Sequence, residues 1–548
     1  ASRLEGRDVE MAQMQSVLAE AVTGRGQLLR LQGEAGVGKS HLAALFLEEA
    51  QRQGAQVAVG TCQSTGRGVA YGAVGSIARQ LLGLAGQDAA RPQEQILQLE
   101  AALGGMNPEW LVRLPLLGDL LRLPIPDNPT TAAFTPQLRQ EALTALALEI
   151  VLLRARQRPL LLFVEDLHWI DEASGQLILA LARVIREARI LLLLAHRPLP
   201  AETVGATLGE LTTGSEHPVI ELAELPPAGV AGLVSNRLGG PVDELALGLI
   251  QVQAQGNAFF TEELVDALFE ARLLAQAGEQ WTLAPTLLAQ LQADGCVQRV
   301  EGRWQLLADA PLSAVSLGMP DSIHGVVLSR LDRLPEDAKL ALKLASVIGR
   351  VFEVALLAAI HPAALTTDAL LAQIETLSRR DFARLERPQP HITYIFKHNI
   401  TQEVVYKTLL ESQQQEVHTA VAGQLEKLAP NAIERLAFHY RHGDVSQPPV
   451  RDKALHYLDA AGVRARREYA NETALGYVER ALALESGWQR QQAKVELLHI
   501  LGRREEEQAS LDQLDGMAGV SPLEVHLLWG QFHEAMSDYP AALAAMET

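Results

Sequence analysis

A chain of 548 residues, 48% hydrophobic and 21% charged, has room for three or four domains at about 150 residues each and is too apolar to be intrinsically disordered. Its formal net charge of −19 argues against a large non-specific nucleic-acid surface, although a local basic patch survives such a balance. Cys62 and Cys296 match no zinc or redox spacing and read as buried thiols of a reducing compartment. No apolar run reaches the ~18 residues that span a bilayer, and Ala1 to Leu4 shows no signal peptide, so the expected location is the cytoplasm. The missing initiator Met, and an end inside what reads as a repeat, give the expectation of a piece of a longer chain.

In chain order, Gly6-Arg7 precedes a helix running to about Val22. In many P-loop ATPases a Gly-Arg turn at this distance before the glycine loop lies beside the adenine, which makes Arg7 a candidate contact. Leu28 to Leu31 reads as a buried strand and His41 to Gln53 as a helix, with Leu42, Leu45, Phe46 and Glu49 at helical spacing. Between them Gly33-Glu34-Ala35-Gly36-Val37-Gly38-Lys39-Ser40 matches G-x-x-x-x-G-K-[ST]. By chance, about one chain of this length and composition in a few hundred carries such a match. Strand, glycine loop and helix set backbone N–H groups and a helix N-terminus, from Gly33 through His41, against a polyphosphate. Lys39 then reaches the β- and γ-phosphates and Ser40 ligates Mg²⁺.

Ala55 to Gly60 alternates like a second strand, followed by a helical stretch with a glycine-rich start (Gly66, Gly68, Gly72, Gly75). Trp110 to Leu123 looks helical, Pro124 to Pro129 is a turn-rich connection, and Leu138 to Arg156 is a long helix. Leu160-Leu161-Leu162-Phe163-Val164-Glu165-Asp166 has the Walker B pattern, a buried parallel strand delivering acids at its carboxyl end. The usual order assigns the metal to Glu165 and the attacking water to Asp166. That assignment stays open, because the first position is more often Asp. His168 follows without a ligand partner at metal spacing and reads as a packing residue. The strand Ile190 to Ala195 ends in His196-Arg197-Pro198, where Arg197 is either a γ-phosphate sensor or a surface residue.

The remainder reads as mainly helical. Val219 to Leu222 is a short strand, and a lid containing Gln255-Gly256-Asn257-Ala258-Phe259-Phe260 follows it. Two stretches, Leu273 to Leu283 and Val297 to Leu307, resemble each other (Ala277-Gly278-Glu279-Gln280-Trp281 against Glu301-Gly302-Arg303-Trp304) and read as small hairpins. Pro320-Asp321-Ser322 caps a section of helices at Ile323 to Leu334, Asp337 to Val347, Val354 to Ile360 and Thr366 to Arg379. The extended Ile392 to Phe396 then leads into a helix from Ile400, so a winged-helix fold is expected, with about equal acids and bases. Tyr469-Ala470, Ala474-Leu475, Ala509 and Tyr539-Pro540 recur near the ~35-residue tetratricopeptide (TPR) period. The expected fold is an α/β P-loop NTPase domain, its parallel sheet flanked by helices (1–217), then a helical lid (218–320), a winged helix (321–425) and TPR-like helical repeats (426–548).

This order of motifs resembles the STAND class of signal-transduction ATPases, which is related to AAA+ proteins. Within it, the chain looks like the regulatory regions that follow class III adenylate/guanylate cyclase domains or join LuxR-type DNA-binding domains. The stretch Leu116 to Pro129 and the run Glu165 to Asp171 carry that likeness. No cyclase catalytic domain lies in the chain. The resemblance implies ATP/ADP and Mg²⁺ as ligands and slow hydrolysis, with catalytic roles for Lys39, Glu165 and Asp166. It implies an ADP-bound resting state opened by a ligand or protein partner on the repeats, and self-association with ATP. It also implies that His398, after Lys397, touches nucleotide phosphates, whereas Ala258 departs from the usual Pro of the lid motif. Two alternatives remain: a DNA-associated AAA+ ATPase of origin-recognition type, and a scaffold stabilised by a permanently bound nucleotide.

Overall fold

In the computed structural model the first strand, β1 (Gln27–Gly33), lies inside a five-stranded parallel sheet with β2 (Gln56–Thr61), β3 (Leu160–Glu165), β4 (Ile190–His196) and β5 (Val219–Leu222), in the order β2-β3-β4-β1-β5. The structure describes residues 5–62, 70–84, 92–199, 206–213, 217–300, 303–307, 322–363, 365–388 and 391–547. Gly66, Gly68, Glu301, Gly302, Pro320 and Asp321 lie outside the described residues, as do Ala1 to Leu4 and Thr548.

The apolar runs of β3 and β4 have no polar alternation because both faces of the sheet are covered. Leu161, Phe163, Leu191 and Leu193 pack on one side with α1 (Asp8–Val22) and α2 (Lys39–Arg52), around Met14, Leu18 and Phe46. On the other side Leu160, Leu162, Val164, Leu192 and Leu194 meet α3 (Gly72–Leu81), α4 (Pro92–Met106) and α5 (Leu114–Leu121). The short α6 (Pro129–Ala132) leads to α7 (Pro136–Gln157), and α8 (Glu172–Val184) and α9 (Ala206–Thr213) complete this layer. Each fully buried Leu contributes about 1.5–3 kcal/mol relative to an exposed one. The stretch expected as one helix from Trp110 is a 3₁₀ turn (Pro108–Arg113) followed by α5. Pro115 lacks an N–H and fits the first turn of a new helix better than the interior of a continuous one.

The lid consists of α10 (Pro227–Leu238), α11 (Glu244–Ala254) and α12 (Ala258–Glu270), then a hairpin β6 (Leu274–Ala277) and β7 (Gln280–Leu283). Helix α13 (Pro285–Ala293) and a second hairpin, β8 (Val297–Val300) and β9 (Arg303–Leu306), repeat the theme. The two hairpins share a register, with Trp281 opposite Gln276 and Trp304 opposite Arg299.

Next come α14 (Ile323–Asp332), capped by Ser322, α15 (Glu336–Ile348), β10 (Val351–Glu353), α16 (Val354–Ile360) and α17 (Thr367–Arg379). They pack with β11 (Ala383–Arg387) and β12 (Thr393–Phe396) in an antiparallel sheet of order β10-β12-β11. Helix α18 (Asn399–Lys407) closes the unit. Strand β11 carries an Arg-Leu-Glu-Arg run that has no strand signature of its own and, among the described residues, is paired only on one side, by β12.

The C-terminal region is helical throughout its described residues: α19 (Glu411–Leu428), α20 (Ile433–His442), α21 (Pro448–Arg467), α22 (Asn471–Leu484), α23 (Trp488–Leu501), α24 (Arg504–Asp515), α25 (Pro522–Ala535) and α26 (Tyr539–Glu547). Helices α22, α24 and α26 begin at Asn471, Arg504 and Tyr539, intervals close to the ~35-residue period. Leu455, Leu458, Ala461, Ala474 and Tyr477 belong to the same core as the outer helices of the ATPase sheet. Arg122 of the ATPase half bonds Glu434 of α20 at 2.9 Å. No helix among the described residues is long and apolar enough to cross a membrane.

The lid meets the small antiparallel unit through a buried ion pair, Arg330 to Glu263 at 2.5 Å, each side chain about 2–3% exposed. Arg330 also lies over the Phe382 ring and donates to the Arg380 carbonyl. Removing one member of a buried pair costs about 3–5 kcal/mol, here offset in part because Asp266 and Glu270 also lie 3.4 and 3.6 Å from Arg330. Glu263→Ala is therefore expected to loosen this junction first, read as faster amide exchange in α12 and α14 and an earlier calorimetric transition.

Candidate functional site

The parallel register brings three strand ends together. Gln32 pairs with His196 and Val164 pairs with Leu194, so the glycine loop after β1, Arg197 after β4 and Glu165 at the end of β3 share the carboxyl edge of the sheet. The loop turns through Gly36 and Gly38 at φ +84 and +101, where a side chain is strained. A Cβ on Gly36 would also lie 2.6 Å from the Asn257 side chain.

Lys39 at the start of α2 donates from Nζ to the Gly33 and Glu34 carbonyls at 2.8 and 2.9 Å. Ser40 Oγ donates to Glu165 Oε1 at 2.5 Å, and Thr61 Oγ1 lies 3.5 Å from the other oxygen. A hydroxyl beside a carboxylate is a hard oxygen pair, the donor set that suits Mg²⁺ when phosphates and waters complete the shell. Among the described residues no group of three His, Cys, Asp or Glu could hold a metal, and a Mg²⁺ bound with a nucleotide needs none.

Asp166 sits in the left-handed region at φ +54. Burial and the adjacent Glu165 push its carboxyl up, against Arg350 and Arg197. Burial takes the Lys39 ammonium down to about 8; Asp166 opposes this and Arg197 adds to it. Lys39, Glu165, Asp166 and Arg197 therefore share one electrostatic neighbourhood. His41 is exposed at the N-terminus of α2. His196 is buried, with Nδ1 2.9 Å from the Arg197 carbonyl oxygen, and burial pushes its pKa down.

Arg7 is 5% exposed and its guanidinium is committed to protein groups. It bonds Glu10, the Val37 carbonyl at 3.1 Å and the Ala223 carbonyl at 2.5 Å. His398 packs on Phe259, the residue whose N–H bonds the Gly36 carbonyl of the loop. Its ring is 4.5 Å from the Phe259 ring, Nε2 is 3.9 Å from Glu262, and burial with Lys397 and Arg350 nearby pushes its pKa down to about 3. It is neutral at physiological pH.

Sequence reasoning missed several residues. The Gly256-Asn257 turn starts α12, as its sequence reads, but its hold on the loop was not foreseen: Asn257 donates to the Ala35 carbonyl at 3.0 Å, while the Phe259 N–H donates to the Gly36 carbonyl at 2.9 Å. The Phe pair divides: Phe260 fills the lid core and Phe259 packs with Val327 and Val404. Asp171, which closes the acidic run after β3, caps α8 and accepts from the Tyr71 and Gly72 N–H groups at 2.8 and 3.2 Å. Arg350, preceding β10, lies 3.7 Å from Asp166 and 4.0 Å from Glu165. Glu403 of α18 lies 4.0 Å from Arg197. Nothing local in sequence marks either one.

Residues 3–194 match the family model described as AAA ATPase domain. An uncharacterized protein of Rhizobium meliloti (strain 1021) is 25% identical over 431 residues, 76% of this chain and 36% of that protein. The chain thus spans about a third of the length of this curated relative. Among solved structures, a STAND protein with a tetratricopeptide repeat sensor from Pyrococcus horikoshii has a TM-score of 0.43 at 11% identity, covering 97% of this chain and 69% of that one. The ORC2 protein of Aeropyrum pernix, in ADPNP-ADP complexes, has a TM-score of 0.29 at 14% identity, covering 76% and 94%. Drosophila ORC bound to DNA also scores 0.29, at 11% identity, covering 74% and 87%. None of the three superposes closely enough to carry an argument about function.

The depressed Lys39 pKa gives a pH test. A polyphosphate favours the ammonium form and raises this pKa, so binding takes up a proton above pH 8. Affinity is at its full value below about 8 and falls as pH rises beyond it. Calorimetric titration of ATP in buffers of different ionisation enthalpy is expected to show that uptake at pH 8.5 and not at pH 6.5. The glycine loop, the acids after β3 and the matched model together place an AAA ATPase domain in the N-terminal part of the chain.

Proposed function

We propose that the chain is a STAND-type switch: it binds ATP or ADP, hydrolyses ATP slowly, and changes conformation according to which nucleotide it holds. The observation that carries the reading is that the small antiparallel unit of residues 321–425, read as a winged helix, reaches the same strand ends as the glycine loop. An enzyme acting on a separate substrate has no use for such a contact. A nucleotide-controlled gate requires one, because a ligand shifts a conformational equilibrium only by binding the two states differently.

Bound Mg²⁺·ATP supplies the scissile γ-phosphate and the positive charge that neutralises it. The chain supplies position. Loop N–H groups and Lys39 hold the phosphates, and Ser40 and Glu165 hold the metal. Asp166 orients the water, or the two acids exchange roles. Arg197 faces the γ-phosphate and reports its presence. Arg7 acts on the nucleotide through the loop it holds at Val37 and the lid it holds at Ala223, and the exposed His41 lies at the phosphate edge. His398 is proposed to approach the nucleotide when the unit closes further. The TPR-like helices offer a long surface for a protein partner or small ligand, and the controlled effector, a nucleotide cyclase or a DNA-binding domain, lies outside these residues. Self-association on binding ATP and a cytoplasmic location belong to the same proposal.

The test is direct. Lys39→Ala is expected to abolish nucleotide binding. Asp166→Asn is expected to keep ATP bound while hydrolysis falls by about 10²–10⁴-fold; the same outcome for Glu165→Gln instead means that the two acids exchange roles. Light scattering with ADP and with a non-hydrolysable ATP analogue is expected to give different masses. Bound nucleotide that never exchanges points to a stabilised scaffold instead. Binding to duplex DNA that weakens steeply with salt points to the origin-recognition reading.

A further inference from the structure

We propose that the winged-helix unit carries a charge mimic of Mg²⁺ and the γ-phosphate, with Arg350 standing in for the metal and Glu403 for the phosphate. The inference rests on the reading of the strand-end site as an ATP site. Arg350 presents a cation to Glu165 and Asp166, at 4.0 and 3.7 Å, the acids that the metal and water would engage. Glu403 presents an anion to Arg197 at 4.0 Å, the strand-tip cation that a γ-phosphate would engage. Each arm has the sign of the ligand group it replaces.

The two arms belong to one rigid piece. The Arg350 carbonyl accepts from the Phe396 N–H at 2.9 Å, tying the residue before β10 to β12. Gln402, next to Glu403, donates to the Ser346 carbonyl at 2.6 Å, tying α18 to α15. Asn399 Nδ2 also sits 3.3 Å from the Glu403 oxygen that faces Arg197. Neither arm is within hydrogen-bonding distance of its target, whereas the same unit holds the lid through Arg330 and Glu263 at 2.5 Å, both buried. The firm attachment is to the lid and the displaceable one is to the catalytic edge.

The consequence is discrimination between nucleotides. Mg²⁺·ATP competes with both arms. ADP has no γ-phosphate, so it leaves the Glu403–Arg197 contact in place and keeps the unit docked. Arg350 then sets the metal dependence of opening, and Glu403 sets the preference for ATP over ADP.

The experiment uses the full chain and fluorescent N-methylanthraniloyl ATP and ADP, titrated with Mg²⁺ and with EDTA. Arg350→Gln is expected to tighten ATP binding about tenfold in Mg²⁺, with little change in EDTA. Glu403→Gln is expected to tighten ATP about tenfold and leave ADP unchanged. A merely structural role would shift all four conditions together. Such a uniform shift, or wild-type affinities in both variants while Lys39→Ala loses binding, overturns the mimic and spares the ATP-site reading. No nucleotide binding by the wild-type chain overturns both.

Discussion

Three consecutive carbonyls of the glycine loop are held by donors from outside the sheet. Asn257 takes Ala35, the Phe259 N–H takes Gly36, and Arg7 takes Val37. Buried backbone acceptors must be paired, and here the partners come from the helix start and the lid. With its carbonyls engaged on that side, the loop is free to present N–H groups on the other. Arg7 extends the link by also holding Ala223, where the chain leaves β5 for the lid. A displacement of the lid is therefore a displacement of the loop, and geometry at the phosphates is coupled to the position of α12.

From α12 the coupling continues outward through charge. Glu263, Asp266 and Glu270 of one helix face Arg330, Arg237 and Arg380. Arg237 also bonds Asp381, which Lys397 approaches at 3.2 Å. Half-buried ion pairs of this kind, still open to solvent screening, contribute modest stability each, but Arg380–Glu270 and Arg237–Asp381 fix the orientation of the antiparallel unit relative to the lid. The buried Arg330–Glu263 pair anchors that orientation. At the other end, the outer face of the ATPase sheet shares its apolar core with α21 and α22, and Arg122 meets Glu434 across the same boundary. Helices α20 to α22 are thus packed against the ATPase layer.

Much of the fold was legible in the residues because its signals are local. Five apolar runs became the five strands, the G-x-x-x-x-G-K-S loop fell between β1 and α2, and Val354 to Ile360 and Val219 to Leu222 have the ends read from sequence. The errors have physical causes. Pro115 splits the helix expected from Trp110, and β11, with its Arg-Leu-Glu-Arg run, is a strand through its pairing with β12.

The candidate site divides along the same line. Gly33 to Ser40 and Glu165 to Asp166 could be named from the chain alone, because a phosphate loop and a strand ending in acids are patterns of neighbours. Their convergence depends on strand order, which puts β4 between β1 and β3 and carries Arg197 to the same edge. Arg7 was read as a candidate contact of the base; that it also holds the Val37 and Ala223 carbonyls is a role that no dipeptide can announce. Arg350 and Glu403 have no local signature because each matters only for what it faces. The sequence by itself determined the elements and the chemistry of the loop, since these follow from contiguous residues. Only the tertiary structure decided which distant charges stand beside that chemistry, because Coulomb interactions depend on distance in space and not along the chain.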